Sequence, residues 1–127
     1  MLPTSRGESG PAVPVLRMFD ETQAREFYVT YLGFEVEWEH RFEPGFPLYL
    51  RIRRDETVLD LSEHYGDGTP GSVLWIPIRG VDAFLADLSH RPHPRLRPGI
   101  DREAPGGPTV ELTDPSGNVL RFCEVTT

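Results

Sequence analysis

Asn118-Val-Leu-Arg-Phe-Cys-Glu124 is the stretch on which the fold turns, because it echoes Thr57-Val-Leu-Asp-Leu-Ser-Glu63 with valine, leucine and glutamate at matching offsets. Both read as short strands with alternating faces. Val58 lies 38 residues after a helix-start signal at Asp20, and Val119 lies 39 residues after another at Gly80. Two units of one size, each strand, helix and then several strands, are what an internal duplication produces.

The elements between these markers follow from local chemistry. Val13 to Met18 is a short apolar strand, and Asp20 is an N-cap with Gln23 at the capping-box position. Ala24, Phe27, Tyr28, Tyr31 and Leu32 make an amphipathic stripe, and Gly33 supplies the left-handed residue that ends the helix. The period then changes to two: Phe34, Val36 and Trp38 alternate with Glu35, Glu37 and Glu39. Pro44-Gly45 turns the chain into a strand from Leu48 to Arg53, and Thr57 to Glu63 is the next. Gly66, Gly68, Pro70 and Gly71 separate the halves. In the second half, Ser72 to Ile78 is a strand. Gly80 or Asp82 caps a helix with Val81, Phe84, Leu85 and Leu88 as its stripe, and Pro92 stops it. Prolines between Pro92 and Pro108 leave only a short extended segment near Arg95 to Arg97, and Asp114-Pro115-Ser116-Gly117-Asn118 turns a closing hairpin.

Composition narrows the function. At 127 residues the chain is one domain, and residues 1–11 read as a flexible N-terminal tail before a single domain over 12–127. No apolar run approaches the roughly 20 residues of a membrane helix. The segment MLPTSRGESG lacks a signal-peptide pattern, so a cytoplasmic location is the expectation. Cys123 is the sole cysteine, which excludes an intrachain disulfide and a thiolate metal cluster. Net charge is −7, so nucleic acid is repelled and a neutral or cationic ligand suits the chain better. All thirteen basic residues are arginine, which removes lysine-based Schiff-base and general-base chemistry.

Phe27-Tyr28 followed by Leu32-Gly33-Phe34, the segment Arg79-Gly80-Val81-Asp82-Ala83, and Asp114-Pro115-x-Gly117-Asn118 before an apolar strand are together similar to the glyoxalase/bleomycin-resistance/extradiol-dioxygenase superfamily, the vicinal oxygen chelate proteins. Gly71 to Leu88 most resembles bleomycin-resistance proteins. The resemblance spans roughly Ala12 to Glu124. It implies an α+β fold of two βαβββ modules, 12–65 and 71–125, whose sheets curve into a cup commonly completed by a second chain in a homodimer. It also implies where metal-dependent relatives place their ligands. Carried over by offset, those positions are Val13, Asp60, Val73 and Arg121, and two valines and an arginine cannot coordinate a divalent ion. No metal or other cofactor is therefore expected.

Alternation selects the cup-facing side chains. Leu59, Leu61, Leu120 and Phe122 go to the helices, leaving Asp60, Ser62, Arg121 and Cys123 on the other face, with Val73 and Trp75 beside them and Val13, Val15 and Arg17 from the first strand. Trp38, Tyr49 and Trp75 offer flat surfaces for stacking, or else Trp38 and Trp75 are core. Asp60 and Arg121, at equal offsets in the two modules, are expected to pair in or beside the cup, within one chain or across a dimer. His90 and His93 lie between prolines and read as solvated loop residues; His40 reads as exposed, and His64 sits near the cup rim. Ser62 and Cys123 have no base placed beside them and read as structural. The expected function is bleomycin-resistance-like: binding and sequestration of a small aromatic or cationic molecule, with a glycopeptide antibiotic as one candidate, without metal. The alternatives are a small-molecule enzyme of this superfamily using Asp60 or Glu111 as acid or base, and a regulatory dimer with no small ligand.

Overall fold

The first helix starts where the Asp20 carboxylate, on extended backbone, accepts the Gln23 N–H at 2.9 Å. Glu21 and Arg25 then pair one turn apart at 2.9 Å. In this computed structural model, which describes residues 6–126, the first module runs β1 (Val15–Arg17), α1 (Glu21–Arg25, continued as a π-helical run Glu26–Tyr31), β2 (Glu35–His40), β3 (Tyr49–Arg54) and β4 (Thr57–Ser62). The second runs β5 (Val73–Ile78), α2 (Val81–Ser89), β6 (Ile100–Asp101), β7 (Thr109–Thr113) and β8 (Val119–Glu124). Each builds its own four-stranded sheet, in the orders β1-β4-β3-β2 and β5-β8-β7-β6. The first strand joins the last in parallel, and the other pairs are antiparallel. These are the two expected βαβββ modules.

Three local readings differ from the structure. The helix after Asp20 widens into π turns at Glu26, and this run buries Phe27, Tyr28 and Tyr31, with the Phe27 ring edge-on to Tyr28 at 4.8 Å. Gly33 closes it with φ 83°, a conformation that a side chain would strain. The second correction concerns the proline-rich segment, whose extended piece is Ile100–Asp101, paired with Val110 and Thr109. Arg95 to Arg97 stays irregular because Pro94 and Pro98 remove ladder donors on both sides. The third is His93, which packs its ring 5.4 Å from Tyr31 and is 15% exposed rather than solvated. Of the expected N-terminal tail, residues 1–5 lie outside the described residues, and 6–11 are exposed without helix or strand.

The modules meet at the β7–β8 turn. Asp114 is 6% exposed and accepts the Tyr28 hydroxyl at 2.6 Å, the backbone N–H groups of Ser116 and Asn118, and the Asn118 side-chain amide. Asn118, fully buried, also donates to the Arg17 carbonyl at 3.0 Å. Burial, reinforced by the Asp114 charge and hydrogen bond, holds the Tyr28 phenol well above its ordinary pKa, so it stays a donor. Around this joint the core is continuous from Leu16 and Leu61 in the first module to Leu112, Leu120 and Phe122 in the second.

Tyr28→Phe should therefore cost about 1–2 kcal/mol, and Asp114→Ala, which strands several buried donors, about 3 kcal/mol or more. Equilibrium denaturant unfolding of the two variants measures both, and equal losses would contradict the ranking.

Candidate functional site

In β3 and β4, Leu50, Ile52, Leu59 and Leu61 are buried toward the core. Period-two alternation sends Tyr49, Arg51, Arg53, Val58, Asp60 and Ser62 to the opposite, open face. There Arg51 lies opposite Asp60 and Tyr49 opposite Ser62. Strict alternation in β2 would leave Trp38 with Phe34 and Val36 on the core side. The ladder instead slips between Val36 and Trp38: Val36 still opposes Ile52, but Trp38 opposes Arg51. This bulge puts the extra residue Glu37 against Arg53, whose Nε donates to it at 2.9 Å. Trp38 is thereby turned to the open face, 43% exposed.

Four side chains converge there. The Trp38 and Tyr49 rings stack at 5.7 Å and 11°, and the Arg51 guanidinium carbon lies 4.9 Å from the indole centre. Arg51 donates through Nε and Nη2 to the two Asp60 oxygens at 2.7 and 3.0 Å, and the Tyr49 hydroxyl donates to Oδ2 at 2.5 Å. A carboxylate only 2% exposed is costly alone, and this bidentate pair offsets the cost. Burial first, then the hydrogen bond to Asp60, raises the Tyr49 phenol to about 12. The hydrogen bond to Asp60 also raises Arg51 above its ordinary value. Both therefore act as proton-bearing donors near neutrality.

Within the chain, the expected Asp60–Arg121 pair is replaced by this one. Arg51 reaches Asp60 from the neighbouring strand, whereas Arg121 belongs to the other sheet and donates to Glu111 at 3.0 Å, half exposed. Equal offsets in two modules make positions equivalent without making them adjacent. Ser62 is also closed off: fully buried, it donates to Asp67 at 2.9 Å and accepts the His64 N–H. On the second sheet Trp75 opposes Arg121, and Trp75 and Val73 are 52% and 53% exposed. Cys123 is fully buried near the Gly107 carbonyl. Sequence reasoning missed Arg51, although its place two residues after Tyr49 put it on the same face.

The superfamily's metal positions do not fit a divalent ion. Register places Val15 opposite Asp60 and Trp75 opposite Arg121, so reading the first-strand positions as Val13 and Val73 or as these two adds no donor. Both Asp60 oxygens are already bonded by Tyr49 and Arg51. What remains is a rigid aromatic surface with hydrogen-bond donors. The larger cavities lie elsewhere, among them a cleft of about 650 Å³ between the β3–β4 turn and α2, and a groove of about 810 Å³ between α2 and residues 92–98. None of Trp38, Tyr49, Asp60, Ser62, Trp75 or Arg121 lines either.

A model of the glyoxalase superfamily matches residues 8–127. The chain belongs to the glyoxalase superfamily. No curated protein matches it by sequence. Among solved structures, this superfamily member is similar to a bleomycin-binding protein from Streptomyces verticillus complexed with copper(II)-bleomycin, at 24% identity and TM-score 0.68, over 94% of this chain and 98% of that one. A glyoxalase/bleomycin resistance protein from Catenulispora acidiphila matches at 20% identity and TM-score 0.69, covering 93% and 100%. TnmS3, an antibiotic-binding protein from a Streptomyces species, matches at 20% and 0.65, covering 94% and 99%. At these identities the likeness is one of fold.

Two outcomes test the site. In a double-mutant cycle, Asp60→Ala and Arg51→Ala should lose much less stability together than the sum of the single losses, whereas Asp60→Ala and Arg121→Ala should add. The Tyr49 phenol has its folded pKa raised above the ordinary 10.0, so its contribution is complete below pH 10 and disappears as pH rises through about 12. The stability gap between parent and Tyr49→Phe should accordingly be flat at neutral pH and shrink in strong alkali; a gap that widens there would contradict the assignment.

Proposed function

We propose that this chain binds and sequesters a small flat aromatic molecule on its open sheet faces, with no metal held by its own side chains, a role like that of the bleomycin-binding proteins it resembles. The carrying observation is the Trp38–Tyr49 stack, held in place by Arg51 and Asp60 and exposed by the bulge that turns Trp38 away from the core side. A tryptophan left 43% exposed at such a position presents apolar area and a π face to a ligand. The acidic composition suggested a cation as the alternative ligand, but both oxygens of Asp60 are engaged internally. The same engagement argues against Asp60 as a general base, and Glu111 is tied to Arg121 on the surface.

An open face needs a second wall to enclose a ligand. Trp75 and Val73 on the second sheet are the complementary apolar patch, so a two-fold homodimer that sets the first sheet of one copy against the second sheet of the other would close the cup. The place of action proposed is the cytoplasm. The first ligands to try are bleomycin and other glycopeptide antibiotics, given that two of the similar solved proteins are complexes with bleomycin, followed by aromatic metabolites.

Thermal-shift screening of these compounds, with and without added divalent metal, should find a ligand that raises Tm equally in both conditions. Trp38→Ala should abolish the shift while the unliganded protein stays folded. A shift that requires the metal, or that survives Trp38→Ala, would refute the reading. Light scattering at micromolar concentration should return the mass of a dimer.

A further inference from the structure

Resting on that reading, we infer that the ligand is a flat aromatic molecule bearing an acceptor oxygen, a carboxylate in the simplest case, and that a cation is excluded from the site by the protein's own Arg51. The features that would recognise a cationic ligand are a carboxylate and an electron-rich ring. Here Arg51 uses both. Its guanidinium takes the two Asp60 oxygens, with Tyr49 adding a third hydrogen bond, and it lies 4.9 Å from the Trp38 ring centre, where a ligand ammonium would seek its cation–π contact. A cation stacked on the same indole would face a positive charge already in place.

The second sheet carries the same residue types in register, with a single, half-exposed arginine–carboxylate bond. Trp75 has Arg121 opposite it, and the neighbouring carboxylate, Glu111, accepts from Arg121. Each tryptophan of the open faces thus has an arginine as its cross-strand neighbour and a carboxylate that is already paired. Of the remaining charges, Glu37 pairs with Arg53, and Asp67, beside Ser62, accepts that residue's hydroxyl.

The donors left over point to acceptor oxygens. Arg51 uses Nε and Nη2 on Asp60, which leaves the Nη1 hydrogens. Arg17 lies on the same open face, two strand spacings or roughly 10 Å from β3. It is steadied by a bond from Nη1 to the Glu63 carbonyl and by the Phe19 ring at 5.1 Å, and among the described residues no carboxylate pairs with it. Two guanidinium groups with N–H groups to spare therefore lie on the open face that carries the aromatic surface, Arg51 beside the rings on β3 and Arg17 on β1. Guanidinium donors match carboxylate oxygens in charge and in geometry.

Three fluorescent probes sharing one ring system separate the possibilities: anthracene-2-carboxylate, 2-(hydroxymethyl)anthracene and 2-(aminomethyl)anthracene, titrated into the full chain near neutral pH by calorimetry. The carboxylate should bind about tenfold more tightly than the ammonium, with the alcohol between them. Arg17→Gln should cut the carboxylate's advantage severalfold. The paired change Arg51→Gln with Asp60→Asn, which keeps a neutral hydrogen-bonded pair, should raise affinity for the ammonium by freeing the indole. Circular dichroism of each variant separates this from unfolding. Equal or tighter binding of the ammonium by the parent chain would overturn the inference and leave aromatic binding intact. If none of the three probes bound, aromatic binding itself would fall, and this inference with it.

Discussion

One buried carboxylate holds the two halves of the molecule in register. Asp114 folds its own turn through the N–H groups of Ser116 and Asn118 and at the same time accepts the hydroxyl of Tyr28 from the other module. With the Tyr28 hydroxyl and the Asn118 N–H buried, losing this acceptor would leave them unpaired, so the β7–β8 turn is held to its seat against α1. The seat fixes the relation between the two sheets, and the direction in which their open faces look follows from it. The joint is asymmetric despite the repeat: the equivalent β3–β4 turn carries Arg54-Asp55-Glu56, and it meets α2 through the Arg54 guanidinium 5.0 Å from the Phe84 ring.

The second constraint is the pairing of Asp60 with Arg51. It neutralises a carboxylate in the middle of a sheet face, aligns the guanidinium with the indole and draws the Tyr49 hydroxyl inward. A face so arranged is preorganised, because side chains already locked by hydrogen bonds lose little further freedom when a flat ligand settles on them. It also leaves no free carboxylate at its centre. The chain's net charge of −7 resides elsewhere on the surface, which is why composition pointed toward a cationic ligand while the local geometry does not.

Much of the fold was legible because it is written in short-range chemistry. The Asp20 cap, the helical stripe ending at Gly33, the alternation of Leu59 and Leu61 with Asp60, and the Asp114–Asn118 turn each depend on residues within a few positions of one another. The echo of Thr57–Glu63 in Asn118–Glu124 then identified the duplication without any long-range information. Periodicity could also say that Asp60 and Arg121 share the open side of their sheets.

What periodicity could not say is who meets whom. Asp60 has Arg51 as its neighbour because of strand order within one sheet, and offsets along the chain carry no record of that order. The bulge at Glu37 is equally silent in sequence: Phe34, Val36 and Trp38 alternate without a break, yet the β2–β3 ladder gains one residue and Trp38 changes face. His93 shows the same limit in a loop, where flanking prolines predicted exposure and a contact with Tyr31, 62 residues away, removed it. The sequence by itself determined the elements and their inward faces, since those follow from local hydrogen bonding and side-chain period. Only the tertiary structure decided the site, since its contacts depend on register and sheet order, which are settled by the free energy of the assembled whole.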